Sequence, residues 1–178
     1  MPFVPFDTRF PGLAERETRV VVVFNREPIP PDTYAFAESY CDDRGCDCRR
    51  VFLNVLSEKQ QLHHATIGFG WESREFYRKW MHGAVDEEDL REIQGPALQR
   101  MTAQGSLAPN FLEIFGEIVL NEEYVDRVKR HYRMFREAVD KEHASAPSRR
   151  TVSSPAALSR NSRCPCGSGK RFKRCCGK

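Results

Sequence analysis

The chain has 178 residues, 40% of them hydrophobic and 30% charged, with a formal net charge of +3 and seven cysteines. This length suits one domain with a real core plus a small appendage, and the longest apolar run, Val20 to Phe24, falls far short of the roughly 18 residues a bilayer span requires. The opening MPFVPFDTRFPG lacks the basic-then-apolar order of a secretory signal, which points to the cytoplasm, where clustered thiols stay reduced and serve metal or redox chemistry rather than disulfides.

Along the chain, TRVVVVFN at 18–25 is a β-branched run bounded by charged and turn residues, and predicts a strand buried on both faces. PPDTYAFAESYC at 30–41 places apolar residues at Tyr34, Ala37, Tyr40 and Cys41 behind a capping Asp32 or Thr33, and predicts a short helix. CRRVFLNVLSE and LHHATIGFGWE, joined by KQQ at 59–61, predict an antiparallel hairpin. Helices follow at 73–83, with Ser73 as N-cap, and at 86–95, closed by Gly95. Two more are expected over 109–120 and 121–142, the last with Tyr124, Val128, His131, Tyr132, Phe135 and Val139 on one face. The body is therefore read as α+β, a small, mostly antiparallel sheet of about three strands covered by helices.

Three cysteines, Cys41, Cys46 and Cys48, lie between the predicted helix and the hairpin. Thiols at this spacing in a reducing compartment suggest a metal site lacking one ligand; buried structural thiols are the alternative. His63 and His64 are excluded as the missing ligand, because the hairpin places them about seven residues, or more than roughly 20 Å, from Cys48. His131, Asp42, Asp43, Asp47 or water are the remaining candidates. An open fourth position would allow water activation, so a metal-dependent hydrolase at this cluster is the alternative function. The acidic run DEEDLREIQ reads as a solvated first turn rather than paired catalytic carboxylates, and Trp71 and Trp80 read as packing between sheet and helix. Arg49 and Arg50, beside Cys48, could balance thiolate charge or hold an anion.

Residues 143–159, HASAPSRRTVSSPAALS, read as a flexible linker between a body at 1–142 and a module at 160–178. Charge divides at the same place. No Asp or Glu occurs from His143 onward, whereas 1–142 holds 19 basic and 25 acidic residues. GSGK at 167–170 is not a phosphate loop, since Cys164 and Arg171 stand where that motif needs Gly and Ser or Thr. Cys164, Cys166, Cys175 and Cys176 can instead surround a tetrahedral ion. Gly167 and Gly169 let the backbone fold tightly behind the first pair, where a Cβ would obstruct, with amides free to donate to thiolates. Phe172 is the only large apolar residue within the module, so no apolar core can offset the ordering entropy, and a metal ion supplies what is missing.

The stretch RNSRCPCGSGKRFKRCC at 160–176 resembles the SEC-C motif, a small zinc-binding tail found at the end of the SecA translocase motor and on otherwise unrelated proteins. The resemblance implies Cys164, Cys166, Cys175 and Cys176 as ligands, with Cys176 where the family can use His. It implies zinc as the metal, with iron proposed for some members, and docking to protein partners, including a translation-linked chaperone, with a connection to ribosomes. The body looks like bacterial proteins that carry this tail, which assigns it no activity. Setting a four-thiolate divalent site at −2 and the terminal carboxylate against seven basic groups leaves a surplus of about +4. Lys170, Arg171, Lys173 and Arg174 are thus candidate contacts for an acidic protein face, or for RNA or a ribosome. The resulting expectation is a metal-binding interaction protein whose basic zinc module docks to a partner.

Overall fold

In this computed structural model the described residues are 3–83, 85–145 and 166–176. The chain divides into two compact units, residues 1–143 and 144–178. Among the described residues the first unit holds β1 (Phe3–Pro5), α1 (Pro11–Glu17), β2 (Arg19–Val23), β3 (Asp32–Cys41), β4 (Arg50–Ser57), β5 (His63–Gly70), α2 (Arg74–Trp80), α3 (Glu87–Gln94), β6 (Ala97–Leu98), α4 (Ala108–Ile114) and α5 (Glu122–Ser145). The strands form one antiparallel sheet in the order β1-β3-β4-β5-β6, with β2 also on β3. The body is α+β as expected, but its sheet has six strands rather than three.

The largest correction is β3. Residues 32–41 form a central strand, not a helix. Apolar residues at 34, 37, 40 and 41 fit a helical stripe, yet that stripe would leave Phe36 on the wrong side. In the strand, Tyr34, Phe36 and Tyr40 share one face and are fully buried, as a period of two requires. Tyr34 packs on Phe111, Phe36 on Phe115 and Tyr40 on Phe135, with centroids 4.7, 6.1 and 5.6 Å apart; such pairs contribute about 0.5–1.5 kcal/mol beyond their area. Asp32 caps no helix. Its carboxylate accepts from Ser57 Oγ at 2.6 Å, Thr33 N at 2.7 Å and Lys59 N, tying the start of β3 to the turn after β4. Burial opposes ionisation there, but these bonds outweigh it and lower the Asp32 carboxyl below its usual value.

The valine run is also corrected. β2 pairs only with β3, on the edge that β1 occupies further along. Val20 and Val22 are each 51% exposed, because the sheet face they point to is uncovered at this edge, whereas Val23 faces the core. The hairpin forms as expected, Arg50 opposite Gly70 and Leu56 opposite His63, with a bulge at Val55/Leu56.

Local capping signals place the helices. Ser73 Oγ accepts from Phe76 N at 3.2 Å, Asp86 Oδ1 from Asp89 N at 2.8 Å and Asn121 Oδ1 from Tyr124 N at 2.9 Å, each satisfying an orphan donor. α4 continues as a π turn, Phe115–Val119. α5 lays its whole expected stripe, Tyr124 to Val139, into the core, and runs to Ser145, so the first residues of the expected linker are helical. The rest of that linker, residues 146–159, lies outside the described residues. On the other sheet face, Tyr77 of α2 sits so close to β5 that a Cβ on Gly70 would come 2.2 Å from its Oη. Trp71 packs on Tyr132 of α5 at 5.2 Å rather than on the following helix.

Candidate metal centres

The loop 42–49 joins β3 to β4 and carries the first cysteine cluster. Cys41 is the last residue of β3, and Cys48 lies two residues before β4. A turn closed by Cys46 N donating to Asp43 O at 3.2 Å, with Gly45 at φ +73°, folds the loop back on itself. As a result the three sulfurs lie within 4.8 Å of one another. Cys41 and Cys48 are buried and Cys46 is half-buried.

Backbone amides point at this group: Asp43 N–H donates to the Cys41 sulfur, Cys48 N–H to Cys46 and Arg50 N–H to Cys48. The hydrogen bond from Cys48, aided by the Asp43 amide, lowers the Cys41 thiol to about 6. The same bond, together with burial, pushes Cys48 up, and burial raises Cys46. Without a metal the trio therefore favours one thiolate stabilised by its neighbours.

Residues distant in sequence fix the loop. Arg136 Nη1 donates to Cys41 O at 3.2 Å and to Asp43 O at 2.8 Å. Tyr132 Oη donates to Asp47 Oδ1 at 3.2 Å and accepts from Arg49 N at 3.4 Å. Tyr77 Oη donates to Arg49 O at 2.9 Å, holding Arg49 at φ +46°. Arg49 pairs with Asp47 and Glu72 and so faces outward. Arg50 turns inward and is 8% exposed, with Nε lacking any partner. Its burial is the feature the sequence did not signal.

His131 lies on the apolar stripe as expected, but its ring engages carboxylates and not thiols. Nδ1 is 2.7 Å from Glu38 Oε2 and Nε2 is 3.2 Å from Glu17 Oε2, while the ring stacks on Phe6 at 4.4 Å. Tyr40 Oη also donates to Glu38 Oε2 at 2.7 Å. His63 bonds Thr66 Oγ1 at 2.9 Å, and His64 packs against Tyr34 and Phe111, at the end of the hairpin away from the cysteines.

In the second unit, Cys166 Sγ is 3.4 Å from Cys175 Sγ, which is 3.8 Å from Cys176 Sγ; Cys164 lies outside the described residues. Four sulfurs bound at about 2.3 Å to one tetrahedral ion stand about 3.8 Å apart, so these three match a shared ion. Ser168 Oγ lies 3.2 Å from both Cys166 and Cys175 sulfurs. Gly167 and Gly169 adopt φ +78° and +71°, and among the described residues a Cβ on either would meet nothing within 4 Å. The glycines are thus required by backbone conformation, not by crowding. A 3-10 turn at Phe172–Arg174 returns the chain so that Cys175 N donates to Phe172 O at 3.1 Å. Among the described residues, Lys170, Arg171, Lys173 and Arg174 line one concave surface.

Among the described residues no helix is long and apolar enough to cross a membrane. Residues 160–178 match the family model of the SEC-C motif. Curated relatives are protein translocase subunits SecA. That of Thermodesulfovibrio yellowstonii is 28% identical over 136 residues, covering 73% of this chain and 14% of the relative. That of Geobacter sulfurreducens is 38% identical over 106 residues, covering 55% and 11%, and that of Geobacter sp. strain M21 is 48% identical over 46 residues, covering 26% and 5%. The chain thus spans less than a fifth of the length of these relatives. No solved structure matches. The terminal cysteine spacing and the family match agree that the chain carries a SEC-C motif at residues 160–178.

Proposed function

We propose that this chain is an interaction protein of a reducing cytoplasm, in which Cys164, Cys166, Cys175 and Cys176 hold a zinc ion and the module so folded docks to an acidic face of a partner protein. One observation carries the reading: the thiols that converge at ion-sharing distance share the module with a surface that, among the described residues, is lined by Lys170, Arg171, Lys173 and Arg174. Metal binding orders the module, and the basic surface supplies electrostatic complementarity and a fast encounter. The Ala-, Ser- and Pro-rich stretch within 143–159 acts as a tether, so that the acidic body can add a second weak contact through effective concentration. That curated relatives are protein translocase subunits supports a place near protein translocation.

The test is photo-cross-linking in cells from a probe at Lys178 in the full chain. A protein adduct is expected that survives ribonuclease and disappears in two variants: Lys170, Arg171, Lys173 and Arg174 all changed to Glu, and Cys175 and Cys176 both changed to Ser. Adducts confined to RNA would replace the protein partner with ribosomal or other RNA. A protein adduct unchanged in both variants would overturn docking through the tail.

A further inference from the structure

The body carries a thiol cluster of its own. Three sulfurs converge within 4.8 Å, two of them on residues at most 1% exposed. Arg50, two residues after Cys48, is 8% exposed, and its guanidinium lies 5.3 Å from the Phe52 ring without a carboxylate bonded to it. Its Nη2 donates only to a backbone carbonyl, Glu92 O, at 3.4 Å. Its Nε has no partner, and among the described residues no carboxylate lies within ion-pair distance of it. Burying an uncompensated guanidinium is expensive, so an anionic centre belongs beside it.

We propose that Cys41, Cys46 and Cys48 form a second metal site, a three-thiolate centre for a thiophilic divalent ion such as zinc, with solvent as fourth ligand and Arg50 as counter-charge. Three thiolates and a divalent ion sum to −1, which one guanidinium neutralises. Solvent is the fourth ligand because, among the described residues, no His, Asp or Glu atom joins the three sulfurs. It enters from the half-buried Cys46 side, where Tyr132, Arg133, Arg136 and Glu137 line a surface hollow. The ion acts as a structural staple: it closes the loop 41–48, and Arg136 and Tyr132 couple that loop to α5. None of this depends on the tail.

The test uses the full chain with Cys164, Cys166, Cys175 and Cys176 all changed to Ser, so that the tail holds no metal. One zinc per chain is expected by elemental analysis. X-ray absorption at the zinc edge should show three sulfurs at about 2.3 Å and one oxygen at about 2.0 Å. Adding Cys46→Ser should remove the zinc, and adding Arg50→Gln should weaken its affinity by about 10- to 100-fold, as loss of an outer-shell partner does, with Arg50→Lys recovering part of it. No zinc in the folded tail variant overturns the site. Four sulfurs overturn the coordination. An unchanged affinity in Arg50→Gln overturns the counter-charge. Should Cys46→Ser fail to fold, the absorption spectrum decides alone.

Discussion

His131→Ala separates a structural histidine from a metal ligand. In the fold, His131 is 1% exposed and bonds the buried Glu38 carboxylate at 2.7 Å, with a longer contact to Glu17, which is partly exposed. Losing a hydrogen bond to a buried charged group costs about 1.5–3 kcal/mol, and losing the stacking on Phe6 about 0.5–1.5. The Glu17 contact adds little, since it is solvent-screened. The expected loss is about 2–4.5 kcal/mol. For a body of this size that lowers the melting temperature by roughly 4–18 °C. Trp71 packs on the neighbouring Tyr132, so urea unfolding followed by tryptophan fluorescence reads the change, together with zinc per chain. Destabilisation with unchanged zinc is expected. A stability loss below about 1 kcal/mol would refute the energetic argument, and loss of one zinc equivalent from folded protein would restore His131 as the fourth ligand. Repeating the substitution in Glu38→Ala should recover much of the cost, because the stranded carboxylate is then absent.

Other substitutions probe the elements that position these sites. Gly169→Ala puts a Cβ on a residue at φ +71°, costing about 1–2 kcal/mol; zinc affinity of the tail, measured by competition with a chelator, should fall about 5- to 30-fold. Gly70→Ala drives a methyl against Tyr77 Oη, so α2 must shift and stability should drop by about 1–3 kcal/mol in urea titration. Asp32→Asn should destabilise the body at neutral pH. Because the folded carboxyl is lowered, its contribution is fully present above the unfolded value, near 4, and fades as pH falls through the folded one. The melting-temperature difference from wild type should therefore shrink in acid; a constant difference would mean that the carboxylate's charge is not what stabilises.

Much of this was legible because the signals are local. Ser73, Asp86 and Asn121 cap helices through residues three positions away, and the KQQ turn sets the hairpin within one short segment. The failure at 32–41 has an equally definite cause. Tyr34, Ala37, Tyr40 and Cys41 satisfy a helical period while Tyr34, Phe36 and Tyr40 satisfy an alternating one, and only partners on both strand edges, β2 with β1 on one side and β4 on the other, choose between them. The valine run was misjudged for the same reason. Burial of a strand face depends on what covers the sheet, and nothing within 18–25 carries that information.

The two cysteine clusters divide along this line. In the tail, cysteines, glycines and basic residues fall within one short stretch, so the SEC-C motif could be recognised from spacing alone, without any distant partner. In the body, spacing showed three thiols and stopped there. Tertiary packing turned Arg50 inward, committed His131 to Glu38 and Glu17, and brought Arg136 and Tyr132 of α5 onto the loop, because counter-charge and bracing come from whichever side chains the folded sheet and helices bring near.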